Sequence, residues 1–289
     1  LAKTMLYLLI VSFIWAFSFG LIKGNLTNLD PNFVAFARIF ISFIIFVPFL
    51  KLKHIDRKFA GKMILTGLFQ YGVMYIAYIT SYQFLEAYQV ALFTIFTPLY
   101  VTLLNDILKK HFHPLFMFSA LLAVVGMGIV VYDKFGQGTF LTGFLLVQVS
   151  NICFAAGQVF YKREMNKRKD IEDRHIFALL YFGASIITAL SAGFTTKWTA
   201  IRLDTDQWLS LLYLGVLASG VCFFLWNYGA KKTDIGALAV FNNVKIPLAV
   251  AVSMLFFNET GDILRLSIGG SIIISALLLN EFIIRRKKL

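Results

Sequence analysis

Ten apolar stretches, each long enough to cross a lipid bilayer, dominate this sequence. A membrane-spanning helix needs roughly 20 predominantly apolar residues. The apolar residues run continuously instead of alternating, which favours helices over the strands of a membrane barrel. The sequence therefore predicts an all-α integral membrane protein with ten transmembrane helices, at 4–22, 33–50, 62–84, 88–106, 114–132, 140–161, 176–194, 208–230, 236–257 and 264–283.

The composition excludes a soluble protein of this length. Of the 289 residues, 59 % are hydrophobic and 15 % are charged, whereas soluble domains carry about 25 % charged residues. The segments between the stretches are too short to hold a soluble domain. We therefore expect the function to reside in the helix bundle itself.

The net charge of +12 is an orientation signal. With a cytoplasmic N-terminus, 20 of the 27 basic residues fall on the cytoplasmic side and five on the other side. This positive-inside bias predicts that both termini are cytoplasmic and that the chain spans the cell (inner) membrane. The expected surroundings are a lipid bilayer, with no nucleic acid partner. Two basic residues, Arg38 and Lys245, lie within spans and belong to neither side.

The chain contains an internal repeat. Residues 87–99 (AYQVALFTIFTPL) align with residues 236–248 (GALAVFNNVKIPL) at a constant offset of 149. Each half, 1–133 and 139–289, then holds five spans. Because five is odd, the second copy enters the membrane from the opposite side. The sequence thus predicts a 5+5 inverted-topology repeat, a design found in many secondary transporters.

Two prolines occupy equivalent positions in the two halves. Pro98 and Pro247 fall in register at that offset. A proline inside a span removes one backbone hydrogen bond and bends the helix, which is tolerated beside a cavity or against neighbouring helices. We therefore predict helix breaks at both prolines, either next to a binding site or as packing kinks.

An ordered set of short motifs resembles a known family. The sequence is similar to ten-span members of the drug/metabolite transporter superfamily of the EamA-repeat type. The resemblance covers essentially the whole chain and implies transport of a small organic metabolite, often an amino acid or a related compound. The two departures are Lys110, which stands where the second half has Glu259, and Lys245, where such repeats usually carry an apolar or small residue. The matching motifs are Trp15-Ala16-Phe17-Ser18, Pro31 with Arg38, Thr97-Pro98-Leu99, Leu214-Gly215-Val216-Leu217, and Pro247 with Glu259 and Gly269-Gly270.

Lys245 is the most informative single residue. It lies near the middle of the ninth span, where an ammonium group costs at least about 2.5–3.5 kcal/mol. Phe241 and Asn242 precede it by four and three residues and share its helical face. We expect these three side chains to contact a carboxylate or another anion of the substrate. The alternative is a structural lysine bonded to carbonyls freed by Pro247.

Aromatic and amide side chains extend the candidate site. Tyr75, Tyr78 and Tyr82 follow one stripe of the third span, which predicts either a cavity wall or simple packing. Trp226, Gln158 and Trp15 add polar or aromatic groups to the eighth, sixth and first spans. Arg38 lies close enough to the outer end of its span to extend towards water, and both a structural and a gating role are open for it.

The sequence thus favours a secondary, alternating-access transporter of a small molecule, most simply an amino acid or a similar zwitterionic or carboxylated compound. Export or exchange of amines, nucleosides or other metabolites is the alternative. A membrane-embedded enzyme is much less favoured, since the four histidines lie outside the predicted spans. No catalytic residue, cofactor or metal is expected, and the chain is expected to be a monomer or a homodimer.

Overall fold

The computed structural model describes residues 2–53, 55–110, 138–233 and 235–257, with isolated positions at 122, 125, 126, 129, 264, 268, 271, 272 and 275. Within helical segments, the side chains at 2–5, 109 and 235–244 are outside this description. The fifth and tenth predicted spans, 114–132 and 264–283, therefore lie mostly outside the described residues.

The described ranges form eight long helices, and the first seven are long and apolar enough to cross a membrane. Helices α1–α4 correspond to the first four predicted spans, and α5–α8 to the sixth to ninth. The helices are α1 (Ala2–Leu21), α2 (Pro31–Phe46), α3 (Arg57–Ser81), α4 in two parts (Ala87–Phe93 and Thr97–Lys109), α5 (Gly138–Met165), α6 (Phe177–Thr195), α7 (Thr205–Lys232) and α8 (Ile235–Phe256).

Helix α3 begins five residues before the predicted span. The Asp56 carboxylate accepts a hydrogen bond of 2.8 Å from the Phe59 backbone N–H and thereby caps the helix. Arg168 donates to the other carboxylate oxygen at 2.7 Å. The Phe59 N–H and then Arg168 hold the pKa of Asp56 below its ordinary value. A polar cap thus extends the helix beyond its apolar stretch.

The two predicted halves of the chain interleave in the bundle. Helix α1 packs on α7 and α8, α2 on α6 and α7, α3 on α5 and α6, and α4 on α5 and α8. Every helix of the first half therefore contacts helices of the second half. The centre of the bundle is the boundary between the halves, which is where alternating movement of two repeats changes the packing.

Helices α3 and α6 approach each other to backbone contact. A Cβ atom added to Gly67 would lie 1.9 Å from the carbonyl oxygen of Leu180, and one added to Gly183 would lie 1.9 Å from that of Ile64. Within a bilayer, lipid tails are as apolar as the helices, so close packing of small residues is a main source of helix association. The two glycines make this crossing possible.

Three π-helical segments occur among the described residues. One, Ile22–Leu26, follows α1, and the other two are Leu68–Val73 in α3 and Leu214–Val221 in α7. Such turns often occur at functional sites.

Candidate functional site

A cavity of about 70 Å³ lies where the two halves of the chain meet. It has room for several water molecules and is lined by side chains from every described helix except α6. Six of its 14 lining residues are aromatic, and the others include hydroxyl, amide and basic groups. The lining residues are Trp15, Ser18, Phe19, Arg38, Met74, Tyr75, Tyr78, Thr94, Thr97, Ser150, Asn151, Phe154, Phe223 and Lys245.

The π-helical segment of α7 anchors the cavity walls. In such a segment some carbonyl groups lose their usual helical partners, and side chains from other helices can bond them. Trp15 Nε1 donates to the Ala218 carbonyl at 2.8 Å. Ser42 Oγ donates to the Gly215 carbonyl at 2.8 Å, and Tyr181 OH to the Ser219 carbonyl at 2.6 Å. Helices α1, α2 and α6 are thereby fixed to one widened turn.

Helix α4 is interrupted beside the cavity, as Pro98 predicts. A 3₁₀ turn over Thr94–Phe96 separates its two parts, and Pro98 lies in the first turn of the second part. The Phe93 carbonyl accepts a hydrogen bond of 2.8 Å from Asn151 Nδ2. Asn151 Oδ1 accepts one of 3.1 Å from Thr97 Oγ1. The break therefore binds α4 to α5 and presents hydroxyl and amide groups to the cavity.

Helix α8, by contrast, continues through Pro247. The break predicted at this position is wrong, because the loss of one backbone hydrogen bond does not interrupt a helix of 22 residues. The proline ring is exposed on the surface of the bundle.

Lys245 lies in the cavity wall with 6 % of its surface exposed. Its Nζ atom is 5.1 Å from the centre of the Trp15 ring, within the range of a cation–π contact. The Trp15 ring is fixed by its hydrogen bond to α7. An ammonium group is thus held at the cavity, on an aromatic face.

Arg38 lines the same cavity and is 2 % exposed. Although it is close enough to the end of its span to reach water, its guanidinium group turns inward. Its Nη2 donates to Tyr75 OH at 2.8 Å and to Ser219 Oγ at 3.2 Å. The guanidinium carbon lies 4.6 Å from the Tyr75 ring centre. A second buried cation is therefore fixed at the site by α3 and α7.

The cavity floor faces the predicted cytoplasmic end. It lies about one helical turn below the lining residues on α3, α5 and α7. Gln70 Nε2 donates to Asn227 Oδ1 at 2.9 Å, and Asn227 Nδ2 donates to Tyr71 OH at 2.8 Å. Trp226 packs on Trp15 with 5.0 Å between ring centres. The described floor residues, which are all buried, are Gln70, Tyr71, Gln158, Trp226 and Asn227.

Comparison with known proteins places these features in a family. The sequence profile of the EamA-like transporter family matches residues 2–132 and residues 141–281. This chain belongs to the EamA-like transporter family. Like its relatives, this EamA-like transporter is a multi-pass membrane protein. The family contains named transporters that resemble it along most of its length.

Two of these relatives are named for the same substrate. The "Probable biotin transporter" of Pseudomonas aeruginosa is 37 % identical to this EamA-like transporter over 283 residues, covering 96 % of this chain and 97 % of the relative. The "Biotin transporter" of Escherichia coli K12 is 38 % identical over 257 residues, covering 88 % and 85 %. A more distant relative, the "Probable amino-acid metabolite efflux pump" of E. coli K12, is 26 % identical over 175 residues, covering 58 % of each chain.

A solved crystal structure shares the fold of this EamA-like transporter. It has a TM-score of 0.70 at 14 % identity and covers 96 % of both chains. The helical arrangement therefore occurs in a protein with little sequence similarity to this chain. In this chain, the arrangement positions the cavity at the boundary between the halves.

The predicted site residues of this EamA-like transporter fall into four groups. Trp15, Tyr75, Tyr78 and Lys245 meet at the cavity. Tyr82 lies beyond it towards the predicted outer end and shares a hydrogen bond of 2.7 Å with Tyr78. The structure places Gln158 and Trp226 in the floor rather than in the lining, and the side chains of Phe241 and Asn242 lie outside the described residues.

Several lining residues were not selected from the sequence. Thr94, Thr97 and Ser150 are ordinary small polar residues of apolar helices, and only their common proximity to the cavity distinguishes them. Phe223 is one of many phenylalanines, and the sequence does not distinguish it from the others. Pro98 was the available signal for the two threonines, since they flank the break in α4.

A buried ionic contact closes the bundle below the floor. Asp173, in the turn before α6, accepts a hydrogen bond of 2.5 Å from Tyr161 OH and forms an ion pair with Lys231 of α7. Asp173 and Tyr161 are buried and Lys231 is largely so. The contact joins α5, α7 and the turn before α6 at the predicted cytoplasmic end.

We expect Asp173→Asn to lower the thermal stability of the purified protein substantially. The substitution leaves Lys231 without its carboxylate partner, and removing one member of a buried pair costs about 3–5 kcal/mol. The exposed Asp170, which pairs with Arg168 at the surface, supplies the matched control. Asp170→Asn is expected to cost less than about 1 kcal/mol. Equal melting temperatures of the two variants in detergent would contradict the assignment.

Proposed function

We propose that this EamA-like transporter carries a small organic carboxylate across the membrane, with biotin as the first candidate substrate. The observation that carries the proposal is the presence of two buried cations, Arg38 and Lys245, in one partly aromatic cavity. The Nε and Nη1 atoms of Arg38 are buried and have no hydrogen-bond partner among the described residues. Because a buried charged donor without a partner is costly, such a cavity favours an anionic ligand.

The chemistry of biotin fits this cavity. Biotin carries a carboxylate on a four-carbon chain, and its fused rings have a largely apolar body with a polar ureido group. Trp15, Phe154 and Phe223 offer ring faces and edges to the apolar part. The N–H and O–H groups of Asn151 and Thr97 are used within the bundle, so their oxygens are available as acceptors for the ureido N–H groups. The names of the two relatives covering most of the chain support biotin over an amino acid.

The transport mechanism that we propose is alternating access. The two halves, 1–133 and 139–289, form inverted repeats around the cavity, and both termini face the cytoplasm of an inner membrane. In the described conformation, the floor and the Asp173–Lys231 contact close the cavity towards the predicted cytoplasmic end. Transport then requires these contacts and the contacts at the predicted outer end to open in turn. The outer contacts include Lys23 with Glu86 at 3.4 Å.

The test is uptake of radiolabelled biotin by proteoliposomes. We expect uptake above that of protein-free liposomes, saturation with increasing biotin, and competition by excess unlabelled biotin. Excess leucine or alanine should leave the uptake unchanged. If the folded protein neither binds nor transports biotin, or if an amino acid competes fully, the biotin assignment is wrong.

A further inference from the structure

We infer that Arg38 is the residue that binds the carboxylate of the substrate through hydrogen bonds. This inference rests on the proposed function and assigns one cation of the cavity to one chemical group. The sequence alone is compatible with a structural or a gating role for Arg38. Its hydrogen-bond donors indicate a third role.

The donors of Arg38 are only partly used. A guanidinium group has five N–H bonds, and both N–H bonds of Nη2 are accounted for by Tyr75 OH and Ser219 Oγ. The buried Nε and Nη1 atoms, which carry the other three, have no hydrogen-bond partner among the described residues. Burying a charged donor without a hydrogen-bond partner carries a desolvation cost, and binding of an anion offsets this cost.

The position of Arg38 brings these donors next to the cavity. The side chain lines the cavity, and it is held on two sides, by the Tyr75 ring and by Ser219 of the π-helical segment. A guanidinium group fixed in this way loses little rotational freedom when it binds a carboxylate. Charge-assisted hydrogen bonds to carboxylates are among the stronger polar contacts in proteins.

Lys245 differs from Arg38 in its surroundings. Its ammonium lies on the face of Trp15 and already takes part in a further interaction. An ammonium is also a compact charge without the planar geometry that matches a carboxylate. We therefore assign the directional contact to Arg38, while Lys245 adds positive charge to the same cavity.

The experiment compares the binding of biotin and of biotin methyl ester, which lacks the negative charge, to purified protein in detergent. We expect wild type to bind biotin at least tenfold more tightly than the ester. In Arg38→Gln, the affinities for biotin and for the ester should differ by no more than about threefold. In Lys245→Gln, affinity should weaken but a tenfold ratio should remain, because Arg38 is still present.

Each outcome has one meaning. If wild type binds neither compound, the proposed function fails and the role of Arg38 falls with it. If wild type binds biotin but Arg38→Gln keeps the tenfold ratio, or if only Lys245→Gln loses it, the assignment to Arg38 is wrong. If Arg38→Gln does not fold, Arg38→Lys decides: a drop of at least threefold in the ratio supports the inference, and an unchanged ratio overturns it.

Discussion

Replacing Lys245 with methionine should abolish biotin transport without weakening the fold. The ammonium is buried in the cavity wall, and placing a lysine near the middle of a span costs at least about 2.5–3.5 kcal/mol. Methionine removes that cost at a similar side-chain length, but it also removes the contact of Lys245 with the Trp15 ring. We expect initial uptake in proteoliposomes to fall at least a hundredfold, while the melting temperature changes little.

The matched control is Lys58→Met, which removes the same charge from an exposed position on α3. Its uptake should stay within about twofold of wild type. Loss of uptake without loss of thermal stability in Lys245→Met would show that the residue is retained for function. Wild-type uptake by folded Lys245→Met protein would contradict a role in the site, and a large loss of stability would indicate a structural lysine.

Replacing Gly67 with alanine should destabilise the bundle. The new Cβ would approach the Leu180 carbonyl oxygen to 1.9 Å, and a backbone atom of a packed helix cannot move aside as a flexible side chain can. The reciprocal contact of Gly183 with Ile64 leaves no room for α3 and α6 to slide past each other. We expect a loss of more than about 2 kcal/mol of stability, seen as a lower yield of monodisperse protein and a lower melting temperature.

The same helix supplies the control for this prediction. A Cβ added to Gly61 would meet nothing within 4 Å, so Gly61→Ala should be neutral or stabilise α3 by up to about 1 kcal/mol. Gly193→Ala offers the equivalent test on α6. Should Gly67→Ala and Gly61→Ala have equal melting temperatures, the close crossing of α3 and α6 would be refuted.

The cavity combines two requirements that a transporter must balance. In the proposed function, its basic side chains attract a carboxylate out of water, yet the ligand must leave again on the other side of the membrane. A fixed guanidinium and an ammonium on an aromatic ring provide attraction, whereas the hydrogen bonds that close the floor are few. We therefore regard the floor, where the buried Gln158 Nε2 and Trp226 Nε1 have no hydrogen-bond partner among the described residues, as the region that must rearrange.

Much of the architecture was predictable because it depends on local composition. Continuous apolar stretches predict membrane helices, and the described structure contains a helix for eight of the ten stretches. Pro98 predicted the break in α4 because a missing N–H acts locally. Pro247 shows the limit of that argument, since the same local loss is accommodated within an uninterrupted α8.

The site was only partly predictable because its members come from seven helices. Periodicity along α3 identified Tyr75 and Tyr78 but equally included Tyr82, which lies beyond the cavity. The orientation of Arg38 could not be read from its distance to the end of a span. Its direction depends on hydrogen-bond acceptors from two other helices.

By itself, the sequence determined the membrane environment, the helical class and the isolation of two basic residues within apolar spans, because hydrophobicity and charge act residue by residue. Only the tertiary structure decided that Arg38 and Lys245 belong to one cavity. They are separated by more than 200 positions in the chain, and their meeting depends on how helices of the two halves interleave. That packing follows from close helix contacts, such as those at Gly67 and Gly183, which involve partners distant in sequence.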